Sequence, residues 1–238
     1  MQRKIKTLIY SILLGSLFGC SSMMHPDTDR KAEKRLQAAK ANTQLGMAYL
    51  QKHEIQHAKQ KLLLALDEAP KLPEAWYAMA YLMEVTGDPN ANRYYLKAID
   101  LAPKKGDVHN NYGTYLCRNG EYKEAVQHFM IAIRDPDYLE SASAYENAGL
   151  CALKIPDKKL ALTYFNRSIQ EDPNRPGALL EAATLNYETK NYAVAKTQLA
   201  QFQSISAPTK QSLALSRILR NIDMPEEHLL YPDTRILT

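Results

Sequence analysis

The order of apolar and polar residues follows a helical period from about Arg30 almost to the C-terminus. Apolar side chains recur every three or four residues, and no stretch alternates residue by residue as a half-buried strand does. Prolines interrupt the period at intervals, so the long pattern consists of short segments. The pattern therefore predicts an all-α protein.

The same residue types return at steps of about 34 positions, which indicates an internal repeat. Small side chains form two series and a proline closes each unit: Gly46, Ala80, Gly113, Gly149 and Ala183; Ala58, Ala91, Ala125, Ala161 and Ala195; Pro70, Pro103, Pro136 and Pro173. Two antiparallel helices approach closely where small side chains meet, and proline ends the second helix because it lacks an N–H. One such pair cannot bury its apolar face alone, so the pairs must stack into a solenoid.

This arrangement resembles the tetratricopeptide repeat, with five units over about 39–209. The third unit is the clearest, with Tyr112-Gly113, then Asn119-Gly120-Glu121-Tyr122, then Phe129 and Ala132. Residues 211–222 are interpreted as the first helix of a sixth unit whose second helix is mostly missing, and 226–238 as a short tail. The prediction is a solenoid of five full helix pairs plus a partial sixth capping unit, in a domain spanning 39–238.

The first twenty residues have the features of an export signal. A basic segment (2–6) precedes an apolar stretch (7–18) that is too short to cross a bilayer, which needs about 20 residues. The sequence Leu17-Phe18-Gly19-Cys20 resembles a lipobox, so we expect a signal peptide at 1–19, lipidation at Cys20 and a polar tether at 20–38. The alternative is an ordinary signal peptide with an incidental cysteine. Because Ser21 rather than Asp follows Cys20, resemblance to the enterobacterial sorting rule favours the periplasmic face of the outer membrane.

The charge balance argues against nucleic-acid binding. The formal net charge is +4, but Arg3, Lys4 and Lys6 lie in the predicted signal peptide and leave 27 of the 30 basic residues against 26 acidic ones. A near-neutral mature chain lacks the basic stripe that a polyanion requires. No Ser-His-Asp order and no glycine-rich phosphate loop stands out in the sequence. We therefore expect no enzymatic activity, no cofactor and no small-molecule substrate.

One segment, 53–57, spells the H-E-x-x-H motif of zinc hydrolases. That chemistry requires both histidines on one face of a helix, one turn apart. Here His53 aligns with Gly120 in the turn of the third unit, so it does not lie one helical turn before His57. No third ligand is evident nearby, and we expect no metal site.

Two cysteines remain after Cys20. Cys117 and Cys151 lie 34 residues apart on the first helices of the third and fourth units, in a compartment that we expect to be oxidising. Their repeat positions face each other, which favours a disulfide if the Cα atoms come within about 7 Å. The alternative is two buried free thiols.

The first helices of stacked pairs line a concave surface, and repeat positions two, five, nine and twelve point towards it. The predicted protein-binding residues at these positions are Met47, Leu50, Tyr77, Tyr81, Asn110, Thr114, Glu146 and Leu150. Met, Leu and Tyr side chains in a groove suit an apolar or amphipathic peptide segment. For Met47, Leu50 and Leu150 the alternative is packing between neighbouring helices. The Lys/Asn pattern of carboxylate-clamp repeats is absent, so capture of an acidic C-terminus is not expected.

Two segments, 110–120 and 144–152 with the preceding Asp135-Pro136-Asp137-Tyr138, carry a more specific resemblance. Together with the lipobox and the six-unit layout, they are similar to the type IV pilus biogenesis lipoproteins of the PilF/PilW kind. The resemblance implies a pilotin, which holds the secretin in its repeat groove and promotes its localisation and assembly at the outer membrane. A different adaptor on the same architecture, for barrel assembly or for peptidoglycan hydrolases, is the alternative.

Overall fold

The computed structural model describes residues 26–222, and every regular element within that range is an α-helix. The predicted signal peptide, Cys20 and the tail after residue 222 lie outside the described residues. The helices are α1 (Pro26–Gln51), α2 (Ile55–Glu68), α3 (Pro73–Val85), α4 (Ala91–Leu101), α5 (Gly106–Arg118), α6 (Tyr122–Ile133), α7 (Ser141–Ala152), α8 (Lys158–Glu171), α9 (Pro176–Glu188), α10 (Tyr192–Ile205) and α11 (Lys210–Ile222).

Consecutive helices pair into five hairpins, from α1 with α2 to α9 with α10. The odd-numbered helices, here called A helices, also contact one another in sequence, and α11 packs against α9 and α10 as the A helix of a sixth unit. The predicted solenoid of five helix pairs plus a partial unit is confirmed. None of the helices in the described part of the chain is long and apolar enough to cross a membrane.

Small residues set the spacing within each pair, as the repeat pattern predicts. A Cβ atom added at Gly113 would lie 2.9 Å from Cε1 of Phe129 and 3.0 Å from the carbonyl oxygen of Ala125. At Gly149 the added atom would lie 2.6 Å from Cε1 of Phe165. Each glycine thus lets a buried aromatic ring of the second helix lie directly against the backbone of the A helix.

The turns inside the pairs use a left-handed residue in four of the five units. Gly87 and Gly120 supply it at φ of 72° and 88°, whereas His53 and Lys190 adopt φ of 59° and 65° at the same place. Residues that carry a side chain rarely adopt this backbone conformation, so the backbone is strained at His53 and Lys190. The predicted alignment of His53 with Gly120 is therefore confirmed by the backbone.

Helix α1 is longer than the sequence analysis predicts. The helical period begins near Arg30, but the helix begins at Pro26, inside the segment 20–38 that the sequence assigns to a polar tether. Residues 28–37 are exposed on all sides, and Ala39 is the first fully buried side chain. Residues 27–41 contain no glycine or proline and are rich in Ala, Lys, Arg and Glu, which favour a helix even without packing.

Candidate partner-binding groove

The A helices form one face of the stack, which in a solenoid of this kind is the concave side. The small residue at each helix crossing (Gly46, Ala80, Gly113, Gly149 and Ala183) gives a common register for this face. The predicted binding residues lie on α1, α3, α5 and α7 in that register. Their side chains nevertheless lie in different environments. One part of the face is open, and another part is closed by contacts within the array.

The open part is a cavity of about 460 Å³ between α1 and α3. It is lined by Lys40, Thr43, Gln44, Met47, Ala48, Gln51, Glu74 and Tyr77. The structure thus brings two of the predicted residues, Met47 and Tyr77, into one site. The thioether and the tyrosine ring supply apolar surface, while Lys40 and Glu74 supply one charge of each sign.

The next predicted binding residue along α3, Tyr81, is partly covered by a neighbouring unit. The guanidinium carbon of Arg118 lies 5.6 Å from the centre of its ring. Arg118 itself donates to both carboxylate oxygens of Glu84, from Nε at 2.6 Å and from Nη2 at 3.0 Å. Tyr81 therefore contributes a cation–π contact between the second and third units.

Further along the face, the predicted polar residues are engaged within the array. The amide of Asn147 donates to Oδ1 of Asn110 at 3.1 Å, and the Thr114 hydroxyl donates to the backbone carbonyl of Asn110 at 2.9 Å. The Glu146 carboxylate accepts two hydrogen bonds from the guanidinium of Arg175 in the next unit. A partner could use Asn110 or Glu146 only by displacing bonds that join neighbouring units, and the Thr114 hydroxyl already donates within its own helix.

The two predicted leucines have opposite environments. Leu50 is only 5% exposed and packs with Ala58, Leu62 and Met79, so for this residue the packing alternative holds. Its assignment to the groove is corrected, because a side chain in the core cannot reach a partner. Leu150 on α7 is 44% exposed and presents an apolar side chain on the surface.

Two acidic residues on this face, Glu74 and Asp107, were not among the predicted ones. Lys105 pairs with Oε1 of Glu74, while Oε2 is buried and has no hydrogen-bond partner among the described residues. Burial raises the pKa of the Asp107 carboxyl; Lys105 opposes this, and the carboxylates of Glu74, Asp135 and Glu140 add to it. The sequence does contain a signal that could have identified these two acids, because each lies six positions before the small residue at the crossing of its helix.

The negative charges of these two acids also act on Tyr77. Burial raises the pKa of Tyr77, and the negative charges of Asp107 and Glu74 raise it further. The phenol therefore stays protonated and keeps its O–H as a donor. The wall of the cavity that faces α5 is thus apolar at Tyr77 and negatively charged beyond it.

Cys117 and Cys151 meet between α5 and α7. The structure joins their sulfurs in a disulfide, with the Cα atoms 5.8 Å apart, inside the range that such a bond requires. Cys151 is fully buried and Cys117 partly so. Formation of the bond in the purified protein stays a prediction, which titration of free thiols decides.

The H-E-x-x-H segment forms the turn of the first unit. His53 has a left-handed backbone after the end of α1, and His57 lies in the first turn of α2. The His57 ring makes a 3.0 Å contact from Nδ1 to Oε2 of Glu54 and lies 5.2 Å from the ring of Tyr49. Within residues 26–222, no group of three or more His, Cys, Asp or Glu side chains could hold a metal ion.

Comparison with known proteins is consistent with this architecture. Tetratricopeptide repeat families match residues 94–127 and 111–176. Over 212 residues the chain is 30% identical to the type IV pilus assembly protein PilF of Pseudomonas aeruginosa. The aligned region covers 89% of this chain and 84% of that relative.

Two solved structures extend the similarity to three dimensions. The structure of Pseudomonas aeruginosa PilF has a TM-score of 0.75 at 30% identity, over 84% of this chain and 95% of that one. The crystal structure of PilW, a widely conserved type IV pilus biogenesis factor, has a TM-score of 0.67 at 26% identity, over 78% of this chain and 86% of that one.

Proposed function

The chain belongs to the PilF/PilW family of tetratricopeptide-repeat proteins of type IV pilus biogenesis, and we propose that it is an outer-membrane pilotin. In this role it binds a segment of the pilus secretin on its A-helix face and promotes localisation and assembly of the secretin ring. The proposal includes a lipid anchor at Cys20 on the periplasmic face. Scaffolds of this repeat type are generally non-enzymatic, and we propose that this one has no catalytic activity of its own.

The observation that carries the proposed binding role is the cavity between α1 and α3. It has the mixed lining that suits a peptide side chain, with apolar surface at Met47 and Tyr77 and polar groups around it. A volume of about 460 Å³ is large enough for one or two side chains of a partner. The cavity is also in the first two units, towards the proposed anchor.

The exposed first half of α1 supports the proposed arrangement at the membrane. Pro26 follows Cys20 by six residues and begins the helix, residues 28–37 are exposed, and Ala39 is fully buried. At 1.5 Å per residue the segment 26–38 is about 20 Å long. Such a spacer would hold the cavity clear of the lipid headgroups while keeping it within reach of a partner at the same membrane.

Site-specific photocrosslinking in the full-length lipoprotein tests the binding role. A photoreactive amino acid replaces Met47 in the cavity and, as a matched control, Leu63 on the outer side of α2, which is 52% exposed. We expect the secretin to crosslink at position 47 and not at position 63. A crosslink at 47 to a barrel-assembly protein or a peptidoglycan hydrolase would instead assign the alternative adaptor role.

The anchor is tested separately with Cys20→Ser. We expect a folded array that no longer fractionates with the outer membrane, together with mislocalised secretin. Normal outer-membrane placement of this variant would contradict the anchoring proposal and leave the crosslinking result unaffected.

A further inference from the structure

The second position of each repeat, six residues before the small residue at the crossing, forms a row along the A helices. In the five units this row is Lys40, Glu74, Asp107, Ser143 and Gly177. Repeats that clamp a carboxylate place cations and amides on this face. In this chain the first unit carries Lys40 there, but the second and third units carry carboxylates, so these two positions have the opposite preference.

The local charges are unbalanced. Besides its burial, the carboxylates of Glu74, Asp135 and Glu140 act on Asp107, and the Lys105 ammonium opposes them. The Glu74–Lys105 pair occupies a single carboxylate oxygen, and the buried Oε2 has no donor from residues 26–222. A buried carboxylate oxygen without a hydrogen bond is costly, which an additional donor would relieve.

Helix capping alone does not explain these acids. Glu74 and Asp107 each lie in the first turn of an A helix, where a negative charge is favourable. That interaction is satisfied equally well by an exposed carboxylate. It does not account for the buried and undonated oxygen of Glu74, nor for the crowding of three further carboxylates around Asp107.

We propose that Glu74 and Asp107 bind a lysine or arginine side chain of a partner protein, next to an apolar side chain held in the α1–α3 cavity. The occupant is therefore an extended segment that carries a basic residue close to an aliphatic or aromatic one. This inference rests on the proposed partner-binding role of the groove and adds the chemistry by which the partner is chosen. Tyr77 lies between the subsite for the apolar side chain and the subsite for the basic one. It lines the cavity, and the charges of Asp107 and Glu74 both raise its pKa.

A random nonapeptide library on beads tests this without assuming the partner. The probe is the library itself, sorted with the full-length lipoprotein in detergent. We expect bound sequences to be enriched in a lysine or arginine near a large apolar residue. The variant Glu74→Gln/Asp107→Asn should lose the basic preference and bind the selected peptides about tenfold more weakly, with little remaining salt dependence.

The control is Asp67→Asn/Asp100→Asn, which removes the same net charge from exposed positions on α2 and α4. We expect this control to bind as the wild type does. Lys105→Met makes a prediction of opposite sign, because it removes the internal cation that competes for Glu74, and it should bind the selected peptides more tightly.

Each outcome decides between the two proposals. A library with no binders, or without basic enrichment, overturns the inference, as does an enrichment that Glu74→Gln/Asp107→Asn leaves unchanged. Self-association of the wild type that the double variant abolishes would make a second copy the occupant and would also overturn it. If the secretin crosslinks at position 47 while the library result is negative, the proposed function stands and this inference alone fails.

Discussion

Replacing Gly149 by alanine tests the packing on which each helix pair depends. The added Cβ atom would lie 2.6, 2.8 and 2.9 Å from Cε1, Cδ1 and Cζ of Phe165, a side chain that is 0% exposed. Overpacking of this kind costs about 1–3 kcal/mol, while alanine gains about 1 kcal/mol over glycine in a helix. Because all three distances are short, the cost is in the upper part of its range. We predict a net loss of about 1–2 kcal/mol in the free energy of unfolding.

The fifth unit of the same chain supplies the compensating change. There Ala183 replaces the glycine and Leu199 replaces the phenylalanine, and both are buried in one cluster. Gly149→Ala/Phe165→Leu copies this pair into the fourth unit. Phe165→Leu alone should cost about 1 kcal/mol, and adding Gly149→Ala to it should cost nothing further. The two substitutions should therefore couple favourably by about 1–2 kcal/mol.

Urea unfolding followed by far-UV circular dichroism measures this cycle. The four proteins are compared with the disulfide oxidised in all of them, and a shift in midpoint at constant slope reports the stability change. A Gly149→Ala variant as stable as the wild type would refute the reasoning. So would a coupling energy of zero, because it would show that the glycine does not set the spacing between α7 and α8.

Three further predictions concern turns, crosslinking and pH. His53→Gly relieves a backbone at φ 59° and should raise the urea midpoint, by about 0.5–1 kcal/mol in free energy of unfolding, while neither protein binds zinc in equilibrium dialysis. Cys117→Ser opens a loop of 34 residues closed by Cys151 and should cost about 3–4 kcal/mol, as should reduction of the wild type, whereas reduction of the variant should change nothing. Burial, with a smaller effect of His109, lowers the pKa of His128 from 6.5 to about 4, so the unfolded chain binds a proton that the folded chain does not. The free energy of unfolding should therefore be highest above pH 6.5 and fall by about 2–3 kcal/mol by pH 4, and His128→Gln should remove this part of the pH dependence.

The repeat could be predicted from the sequence because its rules are local and recur. Small residues at the crossings, prolines after each second helix and turns at fixed offsets all depend on the backbone, and five copies make the pattern visible above individual exceptions. Even His53, which occupies a position where the third unit has glycine, could be placed correctly, because its alignment with Gly120 assigns it to the turn between α1 and α2. The exact start of α1 could not be predicted in this way, because the helical period begins near Arg30 while the helix begins at Pro26, in an exposed segment where apolar packing does not mark the end.

The groove could be predicted only in part, for a different physical reason. Register shows which face a side chain lies on, but not whether a neighbouring unit already uses it. Glu146 and Asn110 lie at the predicted positions of α7 and α5, yet Arg175, just before α9, and Asn147 on α7 already bind them. These partners come from positions whose residue types vary from unit to unit, so a repeat alignment does not reveal the pairs.

The same contacts suggest why recognition belongs at one end of the array. In the third to fifth units, the disulfide at Cys117, the Asn147–Asn110 bond and the Arg175–Glu146 pair each join neighbouring units across that part of the face. Between the first two units the corresponding space is a cavity, and the acid that borders it, Glu74, has an undonated oxygen. A partner side chain bound in this cavity gains buried area at Met47 and Tyr77 without displacing a pair between units, whereas binding at Asn110 or Glu146 must displace existing pairs. The cost of displacement therefore favours the end of the solenoid nearest the proposed anchor.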